Sequence, residues 1–188
     1  FSTGGKLLAA LFQSVTLRTA GFASFNQDAL TEASKVLSDL LMSVGGSSGS
    51  TAGGVKTVTM GLVVLSAFST MRGRRQVTVF GRSISQEDIA NAVSIALLVM
   101  GLSLLGAAVI TVCDGCSFMN AIYETISALC TVGLTTGITP TLCTASKLIL
   151  IVFMFFGRVG IMTIGVGFMM GDRAKERVQY AQTKVMIG

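Results

Sequence analysis

From Ile89 to Val112 the chain carries no charged side chain over roughly 24 positions, and few folds tolerate such a run. As a helix rising 1.5 Å per residue it extends about 36 Å, enough to cross the hydrocarbon core of a bilayer. A second candidate runs from Ser146 to Met170, interrupted beyond Lys147 at its start only by Arg158. Between them, Phe118 to Cys130 has helix-like spacing but is too short to span. It is followed by Thr131-Val132-Gly133-Leu134 and the turn-forming Thr136-Gly137-Ile138-Thr139-Pro140. Span, short helix, turn and span describe a re-entrant hairpin between two crossing helices.

Composition agrees. Of the 188 residues 51% are hydrophobic and only 12% charged, with a mean hydropathy of +0.74. The 22 glycines would weaken ordinary helices, but in a membrane they permit close helix approach and non-helical turns. The net charge of +5 raises nucleic acid as a partner. The basic residues, however, form blocks beside apolar stretches: Arg72, Arg74, Arg75 and Arg82, then Arg173, Lys175, Arg177 and Lys184. That is a topology signal, which places both blocks in the cytoplasm and excludes a nucleic-acid reading. With no histidine among the residues, a mixed Cys/His zinc site is excluded, and Cys113-x-x-Cys116 reads as small residues near a membrane interface. The opening at Phe1, inside a motif, reads as the C-terminal part of a longer protein.

The N-terminal half repeats the later pattern. Ala33-Ser34-Lys35 matches Ala145-Ser146-Lys147, Met42 matches Met154 and Gly45 matches Gly157, all at one constant offset. At that offset Thr19-Ala20-Gly21-Phe22 falls on Thr131-Val132-Gly133-Leu134. Phe12 to Thr16 resembles Tyr123 to Ser127 after a one-residue shift. The fold expected is all-α and integral to the membrane, each repeat being outer helix, re-entrant pore helix, Thr-x-Gly turn and inner helix. The divisions are 1–75 (a repeat lacking its outer helix), 76–88 (a cytoplasmic linker), 89–171 (a complete repeat) and 172–188 (a cytoplasmic tail).

Conducting a monovalent cation requires replacing its hydration shell with oxygen atoms, and backbone carbonyls do so without binding too tightly. Thr-x-Gly supplies a hydroxyl, carbonyls and a glycine able to take positive φ, while a short helix ending just before it aims its negative end at the ion. One such tetrapeptide reads equally as a helix cap. Two in matched frames say more. The candidate ion ligands are the carbonyls of Thr19, Ala20, Gly21, Thr131, Val132 and Gly133, with Phe22 and Leu134 completing the turns.

The run Gly45-Gly46-Ser47-Ser48-Gly49-Ser50-Thr51-Ala52-Gly53-Gly54 would be a flexible linker in a soluble protein. A phosphate loop is excluded because Val55 separates Gly54 from Lys56. Lying between an amphipathic stretch, Leu30 to Val44, and an apolar one, Val58 to Met71, the run breaks a long inner helix at membrane depth. Such backbone survives there only if it is buried in protein or lines a cavity, so a gating loop below the filter is expected. Arg158, mid-span, is a functional candidate at the matching depth of the next inner helix. Glu124 and Asp39 are weaker cases near the outer interface, Glu124 tying the pore helix to the filter. Lys35 and Lys147 read as interface anchors.

These words together resemble the Trk/Ktr/HKT superfamily of cation transporters, most of all its Ktr-type membrane subunits. The likeness covers essentially the whole chain, including Gly157-Arg158-Val159-Gly160 and the ending Gln182 to Gly188. It implies four repeats around one pseudo-fourfold pore, of which this sequence holds the third and fourth. It also implies inward movement of K+, with Na+ dependence in some members, filter glycines at Gly21 and Gly133, and a gate made of the 45–54 loop and Arg158. Homodimers resting on a cytoplasmic nucleotide-binding ring, in a multi-pass plasma (inner) membrane setting with the C-terminus cytoplasmic, complete the expectation. Nucleotide would bind the ring, so no organic cofactor is expected here.

Three readings compete with K+ uptake. A Na+-conducting relative would be favoured by Ser in place of a filter glycine, and both turns have Gly. A membrane enzyme would need converging acid, base or nucleophile groups, and the acidic residues are scattered. A non-conducting scaffold is the remaining alternative.

Overall fold

The computed structural model describes residues 3–47, 49–50, 52–73, 77–79 and 82–160. Helix α1 covers Thr3–Thr16, α2 Glu32–Ser43, α3 Thr57–Met71, α4 Gln86–Asp114, α5 Phe118–Leu129 and α6 Thr144–Val159. Short 3-10 turns at Gln27–Ala29 and Thr139–Thr141 precede α2 and α6. One two-stranded antiparallel hairpin, β1 (Thr78–Val79) with β2 (Arg82–Ser83), lies within the stretch expected to be a plain linker. Strands of two residues leave no readable alternation.

The helices start where local chemistry supplies a cap. The Thr31 hydroxyl accepts the Ser34 N–H, the Ser85 hydroxyl accepts that of Asp88, and the Cys143 sulfur accepts that of Ser146, each satisfying an otherwise orphan donor. Helix α4 is 29 residues long with a mean hydropathy of 2.5 in its most apolar window, long and apolar enough to cross a membrane. It stops at Gly115, whose left-handed φ of 65° closes the helix. Large apolar side chains such as Leu97, Leu105 and Val112 stand exposed on it.

Helix α5 occupies the centre, packed against α2, α4 and α6, with an unbroken buried run from Tyr123 to Leu129. Gly106 lets α4 approach α6, since a β-carbon there would enter the Phe153 ring. At the far end of α4, Asp114 accepts from the Cys143 N–H at 2.6 Å and from the Ser146 hydroxyl, fastening α4 to the start of α6.

Helix α6 ends sooner than the apolar run suggested. Gly160, at φ 94°, returns its N–H to the Phe156 carbonyl, so Arg158 stands in the last turn and not mid-helix. The stretch 161–188, with the second basic block and the expected cytoplasmic tail, lies outside the described residues, as do Arg74 and Arg75 of the first block.

Candidate ion pathway

Two turns with the same backbone signature follow α1 and α5. Thr19 (φ 63°) and Gly21 (φ 73°) are left-handed, as are Thr131 (φ 55°) and Gly133 (φ 91°). Glycine takes such φ freely, whereas β-branched threonine pays roughly 1–3 kcal/mol, so surrounding contacts must hold the conformation. They are visible. The Thr16 hydroxyl donates to the Phe22 carbonyl at 2.6 Å and accepts the Phe22 N–H at 2.8 Å. The Ser127 hydroxyl donates to the Leu134 carbonyl at 2.6 Å. Thr16 and Ser127 are partners in the shifted alignment, so the one-residue offset is taken up between hydroxyl and turn.

The two turns touch. A β-carbon on Gly21 would run into the carbonyl oxygen of Val132, and Gly21 Cα lies 3.9 Å from where a Gly133 β-carbon would sit. On α5, Glu124 anchors the chain after the second turn. Its Oε1 accepts from the Thr135 hydroxyl (2.5 Å), the Thr136 N–H (2.9 Å) and the Thr136 hydroxyl (3.2 Å). Its Oε2 accepts from the Thr139 hydroxyl at 3.0 Å. In the first copy Gln13 and Gln27 exchange side-chain hydrogen bonds, and the Tyr123 hydroxyl donates to Gln27 at 3.2 Å.

Between α2 and α3 the glycine-serine run forms a loop whose two ends pair. Gly45 N–H donates to the Val55 carbonyl (2.8 Å), Val55 N–H to Ser43 (3.2 Å) and Thr57 N–H to Gly46 (3.1 Å). The Lys56 ammonium donates to the Ser50 and Ala52 carbonyls at 2.9 and 2.6 Å, satisfying acceptors that the broken helix frees. The excluded phosphate loop left Lys56 without a role in the sequence, and the loop's own carbonyls supply one. The loop docks on the C-terminal end of α5: Gly53 N–H donates to the Thr131 hydroxyl at 3.0 Å, and β-carbons on Gly53 or Gly157 would strike the Cys130 or Leu129 carbonyl. Arg158 shares a cavity of about 390 Å³ with Ser50, Ala52, Gly53, Gly54 and Lys56. The fold thus brings loop, Arg158 and the second turn together. Ser48 and Thr51 lie outside the described residues.

Lys35 is not a headgroup anchor. It is 6% exposed and donates to Asp28 (3.0 Å) and Asn120 (2.9 Å), tying the segment before α2 to the start of α5. That hydrogen bond and the lysine's charge hold the Asp28 carboxyl below its ordinary range. Lys147, at the matching position, donates to the Pro140 carbonyl. Burial, reinforced by the charges of Asp114 and Glu124, pushes the Cys116 thiol up, away from the thiolate that metal or redox chemistry needs. Among the described residues no three His, Cys, Asp or Glu side chains are grouped to hold a metal.

The described residues are mainly helical, with one helix of membrane-crossing length and two matching positive-φ turns. The TrkH family, described as cation transport proteins, matches residues 1–176, and the chain belongs to that family. It is 37% identical over 97% of its length to the Ktr system potassium uptake protein B of Bacillus subtilis (strain 168). It is 35% identical over 97% to the potassium/sodium uptake protein NtpJ of Enterococcus hirae, and 33% identical over 100% to the Ktr system potassium uptake protein B of Vibrio alginolyticus. The chain spans about two fifths of those relatives, 41% of the first and 42% of the second. Its relatives are transporters, and a place in the membrane follows from the family.

Proposed function

We propose that the chain is part of the pore-forming subunit of a potassium uptake system and conducts K+ inward. The carrying observation is the contact between two turns of matching backbone, Thr19 to Phe22 and Thr131 to Leu134. Left-handed residues at every second position turn successive carbonyls toward a common side, where they replace water around a bare monovalent ion. The C-terminal end of α5, just before Thr131, adds negative potential.

In this reading 1–75 is a pore repeat without its outer helix, 76–88 a cytoplasmic linker, 89–171 a complete repeat and 172–188 a cytoplasmic tail. Helices α1 and α5 are pore helices, α2 with α3 and α6 are inner helices, and two further repeats complete the ring. The loop 45–54 and Arg158 form the gate beneath the filter, where the guanidinium opposes a cation in the cavity. A cytoplasmic nucleotide-binding ring biases that gate in a homodimeric assembly.

The Enterococcus relative's name includes sodium, which keeps a second reading open: a Na+-conducting or Na+-coupled transporter. Rubidium uptake into proteoliposomes holding the full-length protein, with K+ or Na+ as competitor, separates the two. Block by K+ alone supports potassium uptake. Equal block by Na+ moves the assignment to the second reading, and absent uptake leaves a scaffold.

A further inference from the structure

Asp39 lies on α2, 7% exposed, and among the described residues nothing hydrogen-bonds its Oδ1. It lines a cavity of about 300 Å³ between α2, α3, α4 and α5, open on one side and walled by Leu40, Met60, Val99, Leu104, Ile122 and Ile126. The polar side chains that could answer the carboxyl are already committed. Ser43 donates to the Leu40 carbonyl, Ser103 to the Val99 carbonyl, and Tyr123 to Gln27. A buried carboxyl oxygen without a donor costs stability, so a ligand that supplies one is favoured there. Here it is the one acidic group in an apolar chamber of a size that takes small ligands. Neither Arg158 nor any residue of the two turns lines this cavity, although Ser43 and Val55 at its edge form the base of the 45–54 loop.

From this juxtaposition we propose that the cavity is a binding site for an apolar amine, its hydrocarbon filling the chamber and its ammonium pairing with Asp39. On binding, the neutral amine takes the carboxylic proton, or an ammonium meets the carboxylate; either leaves one ion pair and no unbalanced charge. An alcohol of the same length would bury the same surface but offer no charge. A metal cation would lack oxygen ligands in walls this apolar.

The test uses the purified full-length protein in detergent, with n-octylamine and n-octanol as probes and calorimetric titration as the readout. Wild type should bind octylamine at least about tenfold more tightly than Asp39→Asn does, the scale of one charged hydrogen bond. Octanol should bind both alike and weakly. Leu104→Trp, which fills the chamber and keeps Asp39, should abolish octylamine binding and also decides the matter if Asp39→Asn folds poorly. Equal octylamine binding by wild type and Asp39→Asn, octanol binding as tight as octylamine, no octylamine binding by wild type, or octylamine binding retained in Leu104→Trp would each overturn the site. None of these outcomes bears on cation uptake, so the two proposals fail separately.

Discussion

The backbone N–H of Gly53 donates to the hydroxyl of Thr131 at 3.0 Å, joining the loop between α2 and α3 to the first residue of the turn after α5. The bond couples loop and turn. Removing the hydroxyl while keeping the β-branch, Thr131→Val, should free the loop and raise K+ flux measured without the cytoplasmic partner. Thr131→Ser, which keeps the hydroxyl, should stay closer to wild type. Equal flux in both variants would leave the contact as packing only.

Glu124 is a structural tie, and its loss should be read as stability. Glu124→Ala strands the buried Thr136 N–H and hydroxyl, costing about 1–3 kcal/mol for a buried group left without its partner. Glu124→Gln keeps an acceptor oxygen and should cost less. Thermal unfolding of the purified protein checks the order, and a Gln variant as unstable as the Ala variant would contradict it.

The Asp28–Lys35 pair gives a pH dependence whose sign is fixed. The Asp28 carboxyl is depressed in the folded protein, so its contribution is fully present above the ordinary aspartate pKa and lost as pH falls through the lowered folded value. Unfolding midpoints followed downward from neutral pH should fall less steeply in Asp28→Asn than in wild type. Parallel profiles would mean that the exposed carboxylate adds nothing measurable, a common result for surface pairs.

Much of the fold is legible in the sequence. Charge-free length announced α4, and the interrupted apolar pattern located α2, the loop and α3. The threonines and glycines of the two turns were found by internal repetition, which short apolar words preserve even when single positions drift. What escaped depended on contacts distant in sequence. Lys56 satisfying freed carbonyls, Asn120 receiving Lys35, and the Gly53–Thr131 bond leave no periodic trace. The end of α6 at Val159 leaves no mark in hydropathy either, because apolar residues continue past Arg158 and a glycine that ends a helix by taking positive φ does not register there.

Gly21 and Gly133, the glycines of the two turns, differ in their surroundings, and alanine should expose the difference. Both hold φ values that strain any side chain. At Gly21 a β-carbon also strikes the Val132 carbonyl, whereas at Gly133 its nearest neighbour, the Gly21 α-carbon, is 3.9 Å away. Gly21→Ala should therefore reduce K+ flux more than Gly133→Ala at equal expression. The reverse order would mean that the turns sit differently in the whole protein.

The most direct test is the permeability of K+ relative to Na+ in full-length protein carrying Gly21→Ser or Gly133→Ser. If these turns form the ion filter, each serine strains its turn, disturbs the carbonyl ring and lowers the K+ preference over Na+. Unchanged relative permeability in both variants, at wild-type expression, would remove the turns from the conduction path.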